Sequence, residues 1–564
     1  MGRRYEVAYW QATKNDEYMK KYLKELLFFV NNRFYCGLTI LTAVIAYGYA
    51  AANISIGIDD VRGKLEIGDG RQVIASGRFS QVILPNLLGY HTEWIENSYA
   101  IDVLAVFLLM LSAVNCCILF RKKSKENISM TALAVFSSLM LTYPLINEIW
   151  EYTHINLCIC TGIFLLTIVI YIVDEWMKTK WNIWKAITIV LLMTFICASY
   201  ESVVCVYIFL VFSIIFLAIL FDQDNWTMKL LVRTGVVYVI TLLSGLLGRF
   251  VIHKIILTLF HITYDTNGAV GISWRINELG RQLYALIVSW VDMYLLKSII
   301  YFPLTEILMF GILYICLFVY FLRRSRKYII AVPGIGILLS LVILSLLQGN
   351  VTYYRSCQVF SFFVAFVGML LCHVVQKYDK SARIFITVTF ALCLLCIVQS
   401  VNLNYWLTLN HLRSEEEQRV IYDIGNDLTK KYDMSKPVVF VGSYWLSDEI
   451  TELASIPKED IRWKIYSYIY SKLHGEDYSS IYDNSSRKLV QTNVRSVISW
   501  ALGDQKDMQK LFAKQGFSIV VTEDSEIWNE AFEKVYLGKV PAYPKSGYIE
   551  EYEKYIAVYI GGIK

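Results

Sequence analysis

The chain has 564 residues, of which 56% are hydrophobic and only 18% charged. Soluble proteins carry about 25% charged residues, so this chain lacks the polar surface that several soluble domains would need at this length. With only 8 prolines and as many as 40 tyrosines it is not a disordered or low-complexity tract either. A multi-pass membrane protein with a soluble appendage remains.

Residues 1–35 form a charged cytoplasmic or interfacial segment. Eleven apolar stretches follow, each near the length that a hydrocarbon core of about 30 Å asks of a helix. They are 36–53, 99–120, 129–146, 154–173, 186–200, 203–221, 234–256, 299–321, 328–347, 357–375 and 384–401. The first is not a cleaved leader: it starts too late, follows charge and lacks a clear small-residue cleavage site.

Charge orients the spans. The loop after span two reads RKKSK (Arg121 to Lys125), and the loop after span eight reads RRSRK (Arg323 to Lys327). Loops after spans four, six and ten carry Lys178, Lys180 and Lys185, then Lys229 and Arg233, then Lys377, Lys380 and Arg383. The turns at 147–154 and 199–202 have no Lys or Arg. The positive-inside rule therefore predicts a cytoplasmic N-terminus, and eleven spans put the C-terminus outside. The transmembrane domain is 36–401, with a large first outer loop at 54–98 and a second outer connection at 261–298. The tail 402–564 holds 20 basic and 24 acidic residues, −4 net, against +9 for the remainder. The net +5 is a topology signal and gives no reason to expect a nucleic-acid partner.

All 12 cysteines lie between Cys36 and Cys396, so no disulfide framework is expected in the tail. Cys158 and Cys160 read as small apolar packing residues. In the tail, 414–433 reads as an amphipathic helix, capped by Ser414 with Glu417 three residues on. The stretches 436–442, 518–523 and 555–561 read as buried strands. Helical patterns lie around 459–473, 488–501, 504–515 and 525–537. This alternation predicts a small extracytoplasmic α/β domain. It contains no GxGxxG, Walker loop, HExxH or CxxC.

Asp59 and Asp60 follow span one at once, at the membrane surface. Such a pair suits a general base and its orienting or cation-holding neighbour; a polar helix cap is the structural alternative. Downstream, Val73, Ile74, Phe79, Val82, Ile83 and Leu87 can line one face of a helix lying flat in the interface. Arg71 and Arg78, seven apart, fall near one side of it. Their planar donor forks suit phosphate, or simply snorkel to headgroups. Other polar groups collect at outer span ends: Glu148 and Glu151, Tyr200 and Glu201, Arg249 with His253 and Lys254, and Tyr353, Tyr354 and Arg355. Together they can surround one cavity; separately they are solvated loop ends.

Ile58-Asp59-Asp60 followed by Ser76-Gly77-Arg78-Phe79, after a cytoplasmic N-terminus, resembles the GtrII-type glucosyltransferases of the membrane GT-C superfamily. Phe79 stands where that family often has Trp. Ser199-Tyr200-Glu201-Ser202 resembles a Tyr-Gln-small element of the family, with Glu201 in place of Gln. The resemblance implies a GT-C-like polytopic α-helical enzyme in a bacterial cytoplasmic membrane. Its donor would be a polyprenyl-phosphate sugar, with glucose the implied sugar, and its acceptor a hydroxyl of a surface glycan, with inversion. Asp59 or Asp60 would be the base. Arg78, with Arg249 or Arg355, would stabilise the leaving phosphate. Arg71, Glu148, Tyr200, Glu201 and Tyr353 would complete the substrate site. Some GT-C enzymes need a divalent cation and others do not. The competing class is a transporter or flippase of lipid-linked glycans, whose ionisable sites usually lie near the midplane; here they gather at the outer ends.

Overall fold

The computed structural model describes residues 20–53, 55, 57, 71–88, 98–150, 152–179, 182–262, 274, 276–325, 328–351, 354–378, 382–457, 459–475, 494, 496–537 and 540–561. A helix over 20–31 precedes α1 (Arg33–Ala52), whose N-cap Asn32 accepts from the Tyr35 amide at 2.9 Å. Two short helices, α2 (Arg71–Ala75) and α3 (Ser80–Leu87), come next. The bundle continues through α4 (Ser98–Lys123), α5 (Met130–Thr142), the one-turn α6 (Asn147–Trp150), α7 (Thr153–Trp176), α8 (Ile183–Cys197), α9 (Val203–Phe221) and α10 (Met228–Leu259). The short amphipathic α11 (Leu279–Trp290) leads to α12 (Phe302–Arg324), α13 (Ala331–Gln348), α14 (Val359–Tyr378) and α15 (Arg383–Lys431). Among the described residues nine helices are long and apolar enough to cross a membrane; the apolar helices at 130–146 and 183–197 are shorter. All eleven expected spans are thus helical. The two short ones end in turns that carry Glu148 and Glu201, and those turns use up chain that a longer span would need.

One buried apolar core runs through the bundle, from Tyr35 on α1 to Leu409 on α15. The few polar groups inside it pair between helices, as a medium without water requires. The Tyr35 hydroxyl meets the Ser137 hydroxyl at 2.6 Å, and Asn115 donates to Thr167 at 2.9 Å. At the end with the basic loops, buried Asp174 receives Lys122 at 2.8 Å and Lys178 at 2.9 Å, with Lys123 also on it. Arg121 reaches back to Glu25 at 2.8 Å, which ties the 20–31 helix to α4.

The tail differs from its expected form in three places. Ser414 does not start a helix: α15 runs unbroken for 49 residues from bundle to tail, and Ser414 is buried inside it. Glu417 is occupied elsewhere. It pairs with fully buried Arg413 at 3.3 Å and accepts the Ser496 hydroxyl at 2.7 Å and the Ile498 amide at 3.1 Å. The sheet has the order β1-β3-β2, from β1 (Val438–Gly442), β2 (Ile549–Glu551) and β3 (Ile556–Ile560). β1 and β3 are parallel and β2 is antiparallel to β3. The stretch 518–523 makes only an isolated bridge, Val438 to Val521. Gln505 explains why: its side-chain amide gives Phe440 both a donor and an acceptor, at 2.9 and 2.8 Å. The edge of β1 that a fourth strand would use is already satisfied. β2 carries Glu550 and Glu551 on an edge and has no buried-strand signature.

The tail also holds helices α16 (Asp448–Leu453), α17 (Ile461–His474), α18 (Val497–Ala501), α19 (Gln505–Lys514) and α20 (Ser525–Tyr536). Of the helix expected at 488–501, 488–493 and 495 lie outside the described residues. Strand alternation sends Val438 and Phe440 to one face, packed with Ile424 and Leu428 of α15. Val439 and Val441 go to the other face, with Ala531 of α20. Trp463 and Tyr466 of α17 pack on Leu296 and Ile300 just before α12. The tail therefore docks directly on the bundle.

Glu417→Ala removes the carboxylate from a buried pair and is expected to cost about 3–5 kcal/mol. Thermal unfolding of the purified chain should show a lower transition, with 496–537 cleaved first in limited proteolysis. An unchanged melt would remove this pair as the tail's anchor.

Candidate active site

α2 stops at Gly77, whose φ of +76° is open to glycine at little cost. The Gly77 amide donates to Ile74 at 2.8 Å and the Arg78 amide to Val73 at 3.1 Å, the two bonds of a Schellman closure. This turn breaks the expected single flat helix over 71–88. Ile74, Phe79 and Val82 are buried, while Ile83 and Leu87 face outward. Arg71 and Arg78 therefore do not share a helix face by their spacing of seven. α3 is fastened by two residues that look merely interfacial in the sequence. The Ser80 hydroxyl donates to Phe195 at 2.8 Å, and the Gln81 amide donates to Ser199 at 2.8 Å.

Those bonds bring Arg78 onto the turn between α8 and α9. Its Nη2 lies 2.9 Å from Glu201 Oε2, and its Nε donates to the same oxygen at 3.1 Å. Its guanidinium also lies 4.6 Å from the centre of the Tyr200 ring. From the other side comes Arg249 on α10. Its Nη2 is 3.1 Å from Glu201 Oε1 and 3.0 Å from the Ser76 carbonyl, and its Nε donates to the Gly77 carbonyl at 3.1 Å. A Cβ on Gly77 would stand 3.0 Å from Arg249 Nη2, so the glycine also makes room for the guanidinium. One turn on, the His253 ring nitrogen donates to the Ala75 carbonyl at 3.1 Å. Lys254 points away, over Phe250.

Arg249 lies 21 residues into α10, roughly 30 Å along the helix and so about one hydrocarbon thickness from its start. The triad is thus at the end opposite Lys122 and Asp174. Side-chain exposures of 22% for Arg78, 14% for Glu201 and 20% for Arg249 leave it enclosed but reachable. Burial pushes the Glu201 carboxyl up, but Arg78 and Arg249 outweigh it and hold the group below the usual range. Burial pulls Arg78 down, and Glu201 more than restores it.

A second cluster adjoins the first. The Arg355 amide donates to Glu148 Oε2 at 2.6 Å, and its Nη1 donates to the Tyr152 hydroxyl at 3.3 Å. The Tyr354 ring lies 5.4 Å from Tyr301. The charge on Arg355 acts weakly against that on Arg78.

Of the residues singled out in the sequence, Arg78, Tyr200, Glu201 and Arg249 come together, and Glu148 with Arg355 forms the adjoining cluster. Asp59, Asp60, Glu151 and Tyr353 lie outside the described residues, as does the side chain of Arg71. Among the described residues no group of three or more His, Cys, Asp or Glu is gathered for a metal ion. Tyr152, Ser80 and Gln81 were not legible in the sequence as site residues. Nor was Glu306, buried near the start of α12; a lone carboxylate in an apolar span was its only signal.

A family model described as Glucosyl transferase GtrII matches residues 48–372, well over half of the chain. That stretch contains both clusters. No curated protein is a significant match. Among solved structures, the crystal structure of ArnT from Cupriavidus metallidurans bound to undecaprenyl phosphate is similar over 78% of this chain and 89% of that one. The identity is 15% and the TM-score 0.29.

Because the folded Glu201 carboxyl is held below its ordinary 4.5, its contribution to stability is complete above that pH. It is lost as pH falls further, through the depressed value. Melting temperatures measured from pH 7 down to pH 3 should therefore fall more steeply for the native chain than for Glu201→Gln. Parallel slopes would show that the carboxylate is not coupled to folding. Gly77→Ala places a Cβ at a left-handed φ, a strain of about 1–2 kcal/mol, and crowds Arg249. A lower melting temperature is expected, and an unchanged one would contradict the turn's role.

Proposed function

The chain belongs to the glucosyl transferase GtrII family, and we propose that it moves glucose from a polyprenyl-phosphate donor to a hydroxyl of a surface glycan. We place the reaction on the outer face of a bacterial cytoplasmic membrane, with the N-terminus cytoplasmic and the tail outside. The observation that carries the reading is the meeting of Arg78 and Arg249, from separate elements, on one carboxylate at the end away from the basic loops. A guanidinium that holds a carboxylate by two N–H groups can hold a phosphate in the same way.

In this reading the acceptor hydroxyl attacks the anomeric carbon from the face opposite the phosphate. Asp59 or Asp60 takes its proton, the new glycosidic bond forms, and the bond to the lipid phosphate breaks with its electron pair going to oxygen. Charge grows on the leaving phosphate, where Arg78 and Arg249 stabilise it, with Arg355 contributing through space. Glu148 holds the backbone of Arg355 and so positions it. Tyr200, under the Arg78 guanidinium, keeps that fork oriented. We assign Arg71 and Tyr353 to the rim of the same site.

Glu201 is then the resident anion. Before the donor arrives it neutralises one of the two positive charges and holds both forks in place. The donor phosphate competes with it, and its return favours release of the spent lipid phosphate. The Gln of the family's motif would position the arginines without this competition.

Transfer by purified protein tests the reading. Asp59→Asn or Asp60→Asn should abolish it at normal membrane abundance; full transfer in both variants would remove the catalytic assignment. Arg78→Ala and Arg249→Ala should each lower kcat/KM by about 100-fold, equivalent to about 2.7 kcal/mol of transition-state stabilisation. Glu201→Gln should strengthen inhibition by polyprenyl phosphate by about tenfold, the equivalent of 1.4 kcal/mol. Unchanged inhibition would show that Glu201 does not compete with phosphate.

A further inference from the structure

At the opposite end of the bundle, α9, α12 and α14 enclose an open cleft of about 140 Å³. Its floor is Phe221, Phe321 and His373, with the His373 ring 5.2 Å from Phe221. Its rim carries Arg324 and Lys377. The Arg324 guanidinium lies 4.8 Å over the Tyr378 ring and donates to the Tyr320 hydroxyl at 3.2 Å. Among the described residues no acidic side chain lines the cleft.

The basic residues at this end do not all stand alike. Lys122, Lys123 and Lys178 are spent on Asp174 and Glu175, and Lys125 on Asp222 at 2.7 Å. Among the described residues Arg324 and Lys377 form no ion pair with a carboxylate, although both face the same cleft. Loop charge that served orientation alone would need no cleft between helices and no aromatic floor. Two cations at a membrane surface, above an apolar floor set against the bundle core, match a headgroup phosphate with its first acyl carbons below.

We propose that this cleft binds the phosphate of an anionic phospholipid. Arg324 and Lys377 hold the phosphate oxygens, and Phe221 and Phe321 line the path of the first acyl carbons. The site is separate from the Arg78 triad, at the other surface of the membrane, and does not depend on the reading of that triad.

Native mass spectrometry and thermal unfolding of the full chain in detergent test it. The probes are phosphatidylglycerol, phosphatidylcholine and inorganic phosphate, each added alone. Phosphatidylglycerol should be retained and should raise the melting temperature. In the Arg324→Ala, Lys377→Ala double variant its retention should fall by about 10- to 30-fold. The charge-keeping Arg324→Lys, Lys377→Arg pair should stay within about threefold of the native chain, which separates lost charge from lost fold. Three results would each overturn the proposal: equal retention of phosphatidylglycerol by native chain and alanine variant, phosphatidylcholine retained as well as phosphatidylglycerol, or a melting shift from inorganic phosphate as large as that from the lipid.

Discussion

Glu201 carries two guanidiniums that have no covalent reason to meet. Arg78 sits on a short turn between α2 and α3, and Arg249 sits most of the way along α10. Without the carboxylate, two positive charges would face each other in a poorly solvated place, at a cost that neither chain segment could offset. With it, the α2–α3 element, the α8–α9 turn and the far end of α10 become one unit. The backbone contributes as much as the charges do: Arg249 also holds the Ser76 and Gly77 carbonyls, and Gln81 holds that of Ser199. The fold itself therefore holds the three side chains together, and in the proposed function that is the preorganisation that charge stabilisation in a transition state requires.

The same rule governs the other end of the bundle. Its buried carboxylates are paired: Asp174 and Glu175 gather four lysines, and Arg121 binds Glu25. A membrane protein with so little charge sorts it to its two surfaces and uses it there as fasteners. Among the described residues Arg324 and Lys377 follow the sorting, pair with no carboxylate and share one cleft.

The tail belongs to the same construction. α15 leaves the bundle at the end of the Arg78 triad and becomes the long helix against which the sheet packs. Trp463 and Tyr466 then press α17 back onto Leu296 and Ile300. At these two positions the tail's aromatic residues are packing groups. The tail is held to the bundle by one continuous helix and by apolar packing that includes α17, with the Arg413–Glu417 pair buried within that helix.

Much was settled by the sequence by itself. Apolar length and the alternation of loops with and without Lys or Arg decide the spans and separate the two ends, because hydrocarbon excludes charge wherever the rest of the fold goes. The short motifs around Arg78 and Glu201 carry the family. Periodicity could not reveal the break at Gly77, since a helix period runs through a Schellman turn unless φ is known, and so one continuous helix over 71–88 is not what forms. Nor could it show that Gln505 occupies the edge of β1, or that Ser414 lies inside a helix, because both depend on partners far away in the chain. Only the tertiary structure decided that Arg78, Glu201 and Arg249, separated by 123 and 48 residues, share one set of hydrogen bonds. Sequence distance carries no information about which charges meet; the crossing of α8, α9 and α10 does.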